Sequence, residues 1–183
     1  VLDGEIDNQG MINVDGVDLK LMGGGFSHAN QLDGTVTVEG AELELDLTGA
    51  AEAVSNFTNY GSITVATGGT IRVSGANGLA EAVSNFTNYG SITVATGGTI
   101  RVLGMTGGGQ STTVANHGQL VLHSGSDVEI VDADFVNSAP GEVHGSGTLD
   151  IADASDVVFD GMLSPGLSAG VLTVDGSISV GAS

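Results

Sequence analysis

Five aspartates in the C-terminal half, Asp132, Asp134, Asp150, Asp153 and Asp156, are the side chains of this sequence whose type and spacing best suit chemistry. Paired carboxylates act as general acid and base on a glycosidic bond, and carboxylate oxygens are ligands that calcium prefers. Both readings meet the same objection. The chain holds 22 acidic residues, and acids that alternate outward on a solvated strand, as in Glu42, Glu44 and Asp46, cluster without sharing a task. No Lys or Arg lies close in sequence to the five, so a lyase would lack the cation that stabilises a carbanion and holds an acidic sugar. The G-G-x-G-x-D nonapeptide and the EF-hand loop are both absent. The expectation is therefore no enzyme and no obligatory cofactor, with the five aspartates as weak calcium candidates. A carbohydrate-active enzyme, the least favoured class, would have to depend on Asp134 or Asp153.

The other reactive side chains are as sparse. His28, His117, His123 and His144 show neither H-x3-H nor HExxH spacing, so they read as isolated surface or turn residues and not as zinc ligands. Cysteine is absent, which removes disulfides, thiolate metal sites and Cys nucleophiles. Gly23-Gly24-Gly25 and Gly107-Gly108-Gly109 are not followed by GK[ST] and read as turns or connectors. Ser164 lacks the G-x-S-x-G context of a hydrolase nucleophile. Asn56-Phe57-Thr58 and Asn85-Phe86-Thr87 are N-x-T sequons, with chance occurrence the default reading.

Charge narrows the partners. Lys20, Arg72 and Arg101 face those 22 acids, for a formal net charge of −19. Nucleic-acid binding needs cations to neutralise phosphates, and attachment to an anionic membrane needs them equally. No apolar run approaches the roughly 18 residues of a spanning helix. The chain starts at Val1 without Met or a signal-like segment and reads as a processed mature chain or a fragment.

What must position any site is a repeat. Residues 51–73 and 80–102 both read AEAVSNFTNYGSITVATGGTIRV, an identity over 23 positions at an offset of 29. Within the unit, Ile63 and Val65 alternate with Ser62, Thr64 and Ala66. Gly68-Gly69 then turns the chain, and Ile71 and Val73 alternate with Thr70 and Arg72. Period 2 puts Ile63, Val65, Ile71 and Val73 on an inward face and Thr64 and Arg72 outward. Weaker copies run from Asn8 to Leu21, Gly34 to Leu45, Asn116 to Ile130, Asn137 to Ile151 and Phe159 to Val174, about seven units spaced by 20 to 29 residues. One such unit cannot bury its apolar face alone, but stacked units can. With 40% hydrophobic residues but only 4% aromatic ones, the interior must be thin and filled by Val, Ile, Leu and Ala.

The expected fold is all-β: a parallel β-helix (β-solenoid) of about seven coils. It forms a single domain over 1–183, with 51–73 and 80–102 as the duplicated coil and 157–183 as a divergent terminal coil and tail. The segments Ala50 to Val54 and Leu79 to Val83 suit one helical turn each. Asn59, Asn88, Asn116 and Asn137 fall in register as a side-chain ladder, with residence of each in its own turn as the alternative. A sandwich of hairpins is the rival architecture.

Leu163 to Gly176 reads LSPGLSAGVLTVDG, which resembles the L-S-P-G-x-S-x-G-x-L-T-V-x-G pattern of autotransporter-associated β-strand repeats. The N-x-G-x-[IL]-x-V units also resemble those of such passenger domains and related bacterial surface proteins. The first match covers 14 residues, and the second is generic but covers most of the chain. The resemblance implies a right-handed parallel β-helix outside the cell, acting as adhesin or scaffold. No translocator barrel follows Ser183, a departure from the family pattern.

Neither end of the repeat array carries an obvious cap, since Leu2 to Leu21 already reads as a coil and Leu172 to Val180 still alternates. Open, similar ends join head to tail. The expected interface comprises Leu2, Ile6, Ile12 and Val14 at one end and Leu172, Val174, Ile178 and Val180 at the other. The chain is thus expected to be its own partner in an extracellular homopolymer, with salt or divalent cations offsetting repulsion between acidic subunits. The alternative is a monomeric adhesin that meets surfaces or glycans through exposed Thr, Ser and Asn.

Overall fold

The computed structural model describes residues 1–22, 27–48, 54–75, 82–104, 110–166 and 170–180. Each copy of the exact repeat contributes three strands, Val54–Asn59, Ser62–Val65 and Thr70–Ser74 in the first and Val83–Asn88, Ser91–Val94 and Thr99–Leu103 in the second. The corners between them are short, Tyr60-Gly61 and Ala66 to Gly69 in the first copy. The three strands of a copy do not pair with one another. They pair in parallel with the corresponding strands of the next copy, setting Ile63 beside Ile92, Val65 beside Val94, Ile71 beside Ile100 and Val73 beside Val102. This layering makes the fold an all-β parallel solenoid and excludes the hairpin sandwich.

Three sheets run the length of the array. Sheet A holds Leu2–Asp3, Leu19–Met22, Glu42–Asp46, Thr70–Ser74, Thr99–Leu103, Asp127–Val131, Thr148–Asp150 and Thr173–Asp175. Sheet B holds Asp7–Asn8, Ser27–Asn30, Val54–Asn59, Val83–Asn88, Ser111–Asn116, Asp134–Asn137, Val157–Phe159 and Ser179–Val180. Sheet C holds Met11–Asp15, Thr35–Glu39, Ser62–Val65, Ser91–Val94, Gln119–Leu122, Glu142–Gly145 and Met162–Ser164. The chain winds from B to C to A and back to B.

The expected count of about seven coils needs correction. About five turns, from Ser27–Asn30 to Thr148–Asp150, are closed on all three faces by neighbours above and below. The outer sets are thinner: the first opens with a two-residue strand, Asp7–Asn8. In the last, Leu163 is 41% exposed although Val143, its inward neighbour in sheet C, is fully buried. No helix occurs among the described residues. Val54 and Val83, expected in helical turns, open strands instead, and Ala82 before Val83 is buried and not helical; residues 50–53 and 79–81, and both Gly-Gly-Gly runs, lie outside the described residues.

Inward columns of like residues form the core. Sheet C contributes Val36, Ile63, Ile92, Leu120 and Val143, and sheet A contributes Leu43, Ile71, Ile100, Val128 and Leu149. Burying each such side chain contributes about 1.5–3 kcal/mol. Sheet B inserts a phenylalanine column, in which the Phe57 and Phe86 rings stack with centroids 5.5 Å apart and planes 7° from parallel. Val114 stands between Phe86 and Phe135 in that column, beside a small apolar cavity.

Candidate functional site

The inward edge of sheet B carries a continuous asparagine ladder. Asn8 Nδ2 donates to Asn30 Oδ1 at 2.7 Å, and Asn30 Nδ2 to Asn59 Oδ1 at 2.7 Å. Asn59 donates to Asn88 and Asn88 to Asn116, both at 2.8 Å, and Asn116 to Asn137 at 2.7 Å. Each amide also donates to backbone oxygens at the corner into sheet C, as Asn88 Nδ2 does to the Gln119 carbonyl at 3.1 Å. Asn30, Asn59, Asn88, Asn116 and Asn137 are all buried. The ladder thus includes Asn59, Asn88, Asn116 and Asn137 and extends to Asn8 and Asn30, which sequence reasoning did not place there. The signal was present, because Asn30 precedes Asn59 by the same 29 residues that separate Asn59 from Asn88. A ladder of this kind satisfies buried polar groups and fixes the register of the coils.

A second, outward ladder runs on the same sheet. Asn85 donates to Asn56 Oδ1 at 2.8 Å and Asn56 to Ser27 Oγ at 3.1 Å. These are the two sequon asparagines. At the adjacent corner Tyr60, Tyr89 and His117 stack face to face, with centroids 5.3 and 4.9 Å apart. His117 is therefore not isolated. His144 lies on the outer face of sheet C beside Val121, and His123 follows that sheet's previous strand, so neither joins His117.

His28 overturns the surface reading outright. It is buried in sheet B, in register with Phe57, and takes the place of a phenylalanine in the inner column. Its Nδ1 accepts the Ile6 N–H at 3.2 Å, while no hydrogen-bond partner meets Nε2. Burial pushes its pKa below the ordinary 6.5, against the opposing pull of the Glu5 charge and the Met22 carbonyl. A histidine held neutral in the folded state makes the unfolded state bind more protons. Stability from this site is then complete above the unfolded value near 6.5 and is lost as pH falls from there toward the lower folded value. We expect His28→Phe to raise the thermal midpoint, and to raise it more at pH 5 than at pH 8. Melting curves across that range check this; a pH-independent difference would remove the linkage.

The five aspartates do not converge. Asp150 lies on sheet A, where its Oδ1 accepts the Ala152 N–H at 3.1 Å. Asp132, at a left-handed φ of 51°, and Asp153 sit in stacked corners joined by a backbone bond of 2.9 Å. Asp134 belongs to sheet B, and Asp156 precedes the next strand of that sheet, capping the Val157 N–H at 2.9 Å. Burial, helped by the Asp156 charge, raises the Asp134 pKa, and burial with the Asp150 charge raises that of Asp127. Among the described residues no group of three or more His, Asp or Glu side chains could hold a metal ion.

The expected end residues are placed as follows. Leu2 is exposed, while Ile6, Ile12, Leu172, Val174 and Ile178 are half-buried against the core. Val14 is buried inside the first turn, beside Val38. Val180 lies in the last strand of sheet B, and nothing is described of its side chain.

Sheet A gathers all three cations in one outward column. Lys20 lies between Glu44 Oε1 at 3.1 Å and Asp46 Oδ2 at 2.7 Å, and Arg101 Nε meets Glu129 Oε2 at 2.8 Å. The Asp46 bond raises the Lys20 pKa. Thr48 also donates to Asp46, and with Lys20 it holds the Asp46 carboxyl below its usual range although burial opposes this. The sequence matches no known protein-family model, no curated protein and no solved structure.

Proposed function

We propose that this chain is a structural protein of the cell exterior, whose solenoid units join end to end into a surface filament. The observation that supports this is the state of the ends. Each sheet finishes in an edge strand at both ends, and no helix among the described residues covers them. Apolar side chains stand there in the open: Met11 at 76% exposure, and Met162 at 57% beside Leu163. Met11 and Met162 occupy the same outward column of sheet C, and Ile12 and Leu163 the same inward column. The two ends thus present like residues in like places, as a contact that repeats without closing requires. The resemblance of Leu163 to Gly176 to surface-protein repeats favours an exterior location. Acidic subunits repel, so length should grow with salt or calcium.

Negative-stain micrographs of the whole chain, with and without calcium, test this. Long fibres are expected. Eight strands about 4.8 Å apart span roughly 34 Å, so uniform particles of that length under every condition would sink the filament. They would favour the second reading, a monomeric adhesin. That reading draws on the exposed Tyr60–Tyr89–His117 stack and the outward Thr58, Thr64, Thr87 and Thr93 beside it. The scatter of the five aspartates lends no support to hydrolysis.

A further inference from the structure

The outward column of sheet A begins Lys20, Glu44 and continues through Arg72, Arg101, Glu129 and Asp150, one residue per turn in strict register. Lys20 is taken by Glu44 and Asp46, and Arg101 by Glu129. Arg72 is exposed and has no ion pair among the described residues, because the acid on one side is drawn to Lys20 and its other neighbour is Arg101. Two guanidinium groups one strand apart repel, and they do so in a chain where acids outnumber cations 22 to 3. Such a pair is stabilised by acids brought from outside the column.

We propose that this face pairs with the same face of a second copy of the chain, antiparallel, through a two-fold axis lying along the strands. The central four rows read plus, plus, minus, minus. Rotation about that axis keeps each column opposite itself and reverses its order, so the run meets its own complement. Arg72 then faces Asp150 of the second copy, and Arg101 faces Glu129. The parallel arrangement sets every charge against its like. One flanking column runs Thr70, Thr99, Asp127 and Thr148, so that Thr70 faces Thr148 and Thr99 faces Asp127 of the second copy; in the other, Leu103 faces Val131, an apolar contact beside the charged column. Glu44 opposite Asp175 is the unfavourable row, tempered by Lys20 beside Glu44. An acidic glycan fits less well, since Glu129 and Asp150 would repel the chain that Arg72 and Arg101 attract. The pairing depends on the sheet face and not on the solenoid ends, so it stands or falls separately from the filament.

Sedimentation velocity of the whole chain, with variants checked for folding by circular dichroism, tests it. The wild type should pair at intermediate salt, where the net charge of −19 on each copy is screened more than facing charges in contact are, and R72E/R101E should weaken pairing by about tenfold or more. The four-fold swap R72E/R101E/E129R/D150R reverses every sign, keeps the run self-complementary, and should restore pairing. Where end-to-end fibres form, R72E/R101E should halve their width and leave their length unchanged. Should a charge-reversed variant misfold, R72Q, D150N and the double variant form a cycle: each single change should weaken pairing, and the double change should cost less than the two added; additive losses would overturn the contact. A wild type with no paired species at any salt, a swap that folds but does not pair, or saturable binding of polygalacturonate by unpaired wild type would each overturn the proposal.

Discussion

Replacing Asn88 by alanine should lower the free energy of unfolding by about 2–4 kcal/mol, and replacement by aspartate should cost more. Asn88 is buried; its Oδ1 accepts from Asn59 at 2.8 Å, and its Nδ2 donates to Asn116 Oδ1 at 2.8 Å and to the Gln119 carbonyl at 3.1 Å. Alanine leaves Asn116 Oδ1 and the Gln119 carbonyl short of a donor and opens a void in a thin core. Aspartate presents oxygens where the amide donated, beside two acceptors, and buries a charge without a cation. A carboxyl in that place titrates above its ordinary value. The aspartate variant should therefore regain part of its stability as pH falls through that raised value, whereas the alanine variant should not. Asn85 is the control, since it lies three residues earlier on the outward face and donates to Asn56 at 2.8 Å. Asn85→Ala should cost less than about 1 kcal/mol, because water replaces the lost bond. Urea unfolding of the three variants checks this. Equal losses for Asn85 and Asn88 would mean that burial of the inner ladder contributes nothing.

The same contrast explains which parts of the molecule were legible beforehand. The layered solenoid could be read because Ile63, Val65, Ile71 and Val73 recur unchanged as Ile92, Val94, Ile100 and Val102, and identical strands bury their faces best against each other. The inner ladder could be read in part, since an asparagine closes the same strand of four successive units. Asn30 escaped because its unit was begun at Gly34, one corner too late. His28 gave no local cue; its burial follows only from sharing a column with Phe57. The sheet A column was hidden for a different reason. Its members are unevenly spaced, 24 residues from Lys20 to Glu44 but 28 from Arg101 to Glu129. The connections between turns differ in length, so charges that stack in space fall out of step in sequence. The outer turns were overcounted because apolar alternation marks a strand without revealing whether a neighbour covers it.

Gly90→Ala should cost at least about 3 kcal/mol, as much as losing a ladder amide, for the addition of one methyl group. Gly90 follows Asn88 at the corner between sheets B and C, where its α-carbon packs on the backbone of the previous coil. A Cβ there would be driven into the carbonyl oxygen of Gly61 and come within 2.7 Å of the Tyr60 carbonyl carbon. Neither obstacle is a side chain that can swing away. The Gly61 carbonyl accepts the Ser91 N–H at 2.9 Å, which starts the sheet C pairing, and it accepts the Asn59 amide at 3.2 Å. Pushing it aside disturbs backbone pairing and inner ladder together. Gly97 separates this cause from backbone strain. It has a φ of 75°, yet a Cβ there would lie 3.7 Å from Thr67 Cγ2, in ordinary contact. Gly97→Ala should therefore cost only the left-handed penalty of about 1–2 kcal/mol. Gly97→Asn should cost less still, because asparagine tolerates that conformation. Gly90→Asn should give no such relief, since its obstacle is the coil beneath and not its own dihedral angle. Thermal melts of the four variants decide the matter. If asparagine rescues position 90 as it does position 97, the glycine is there for its conformation, and the coils are not packed backbone on backbone at this corner.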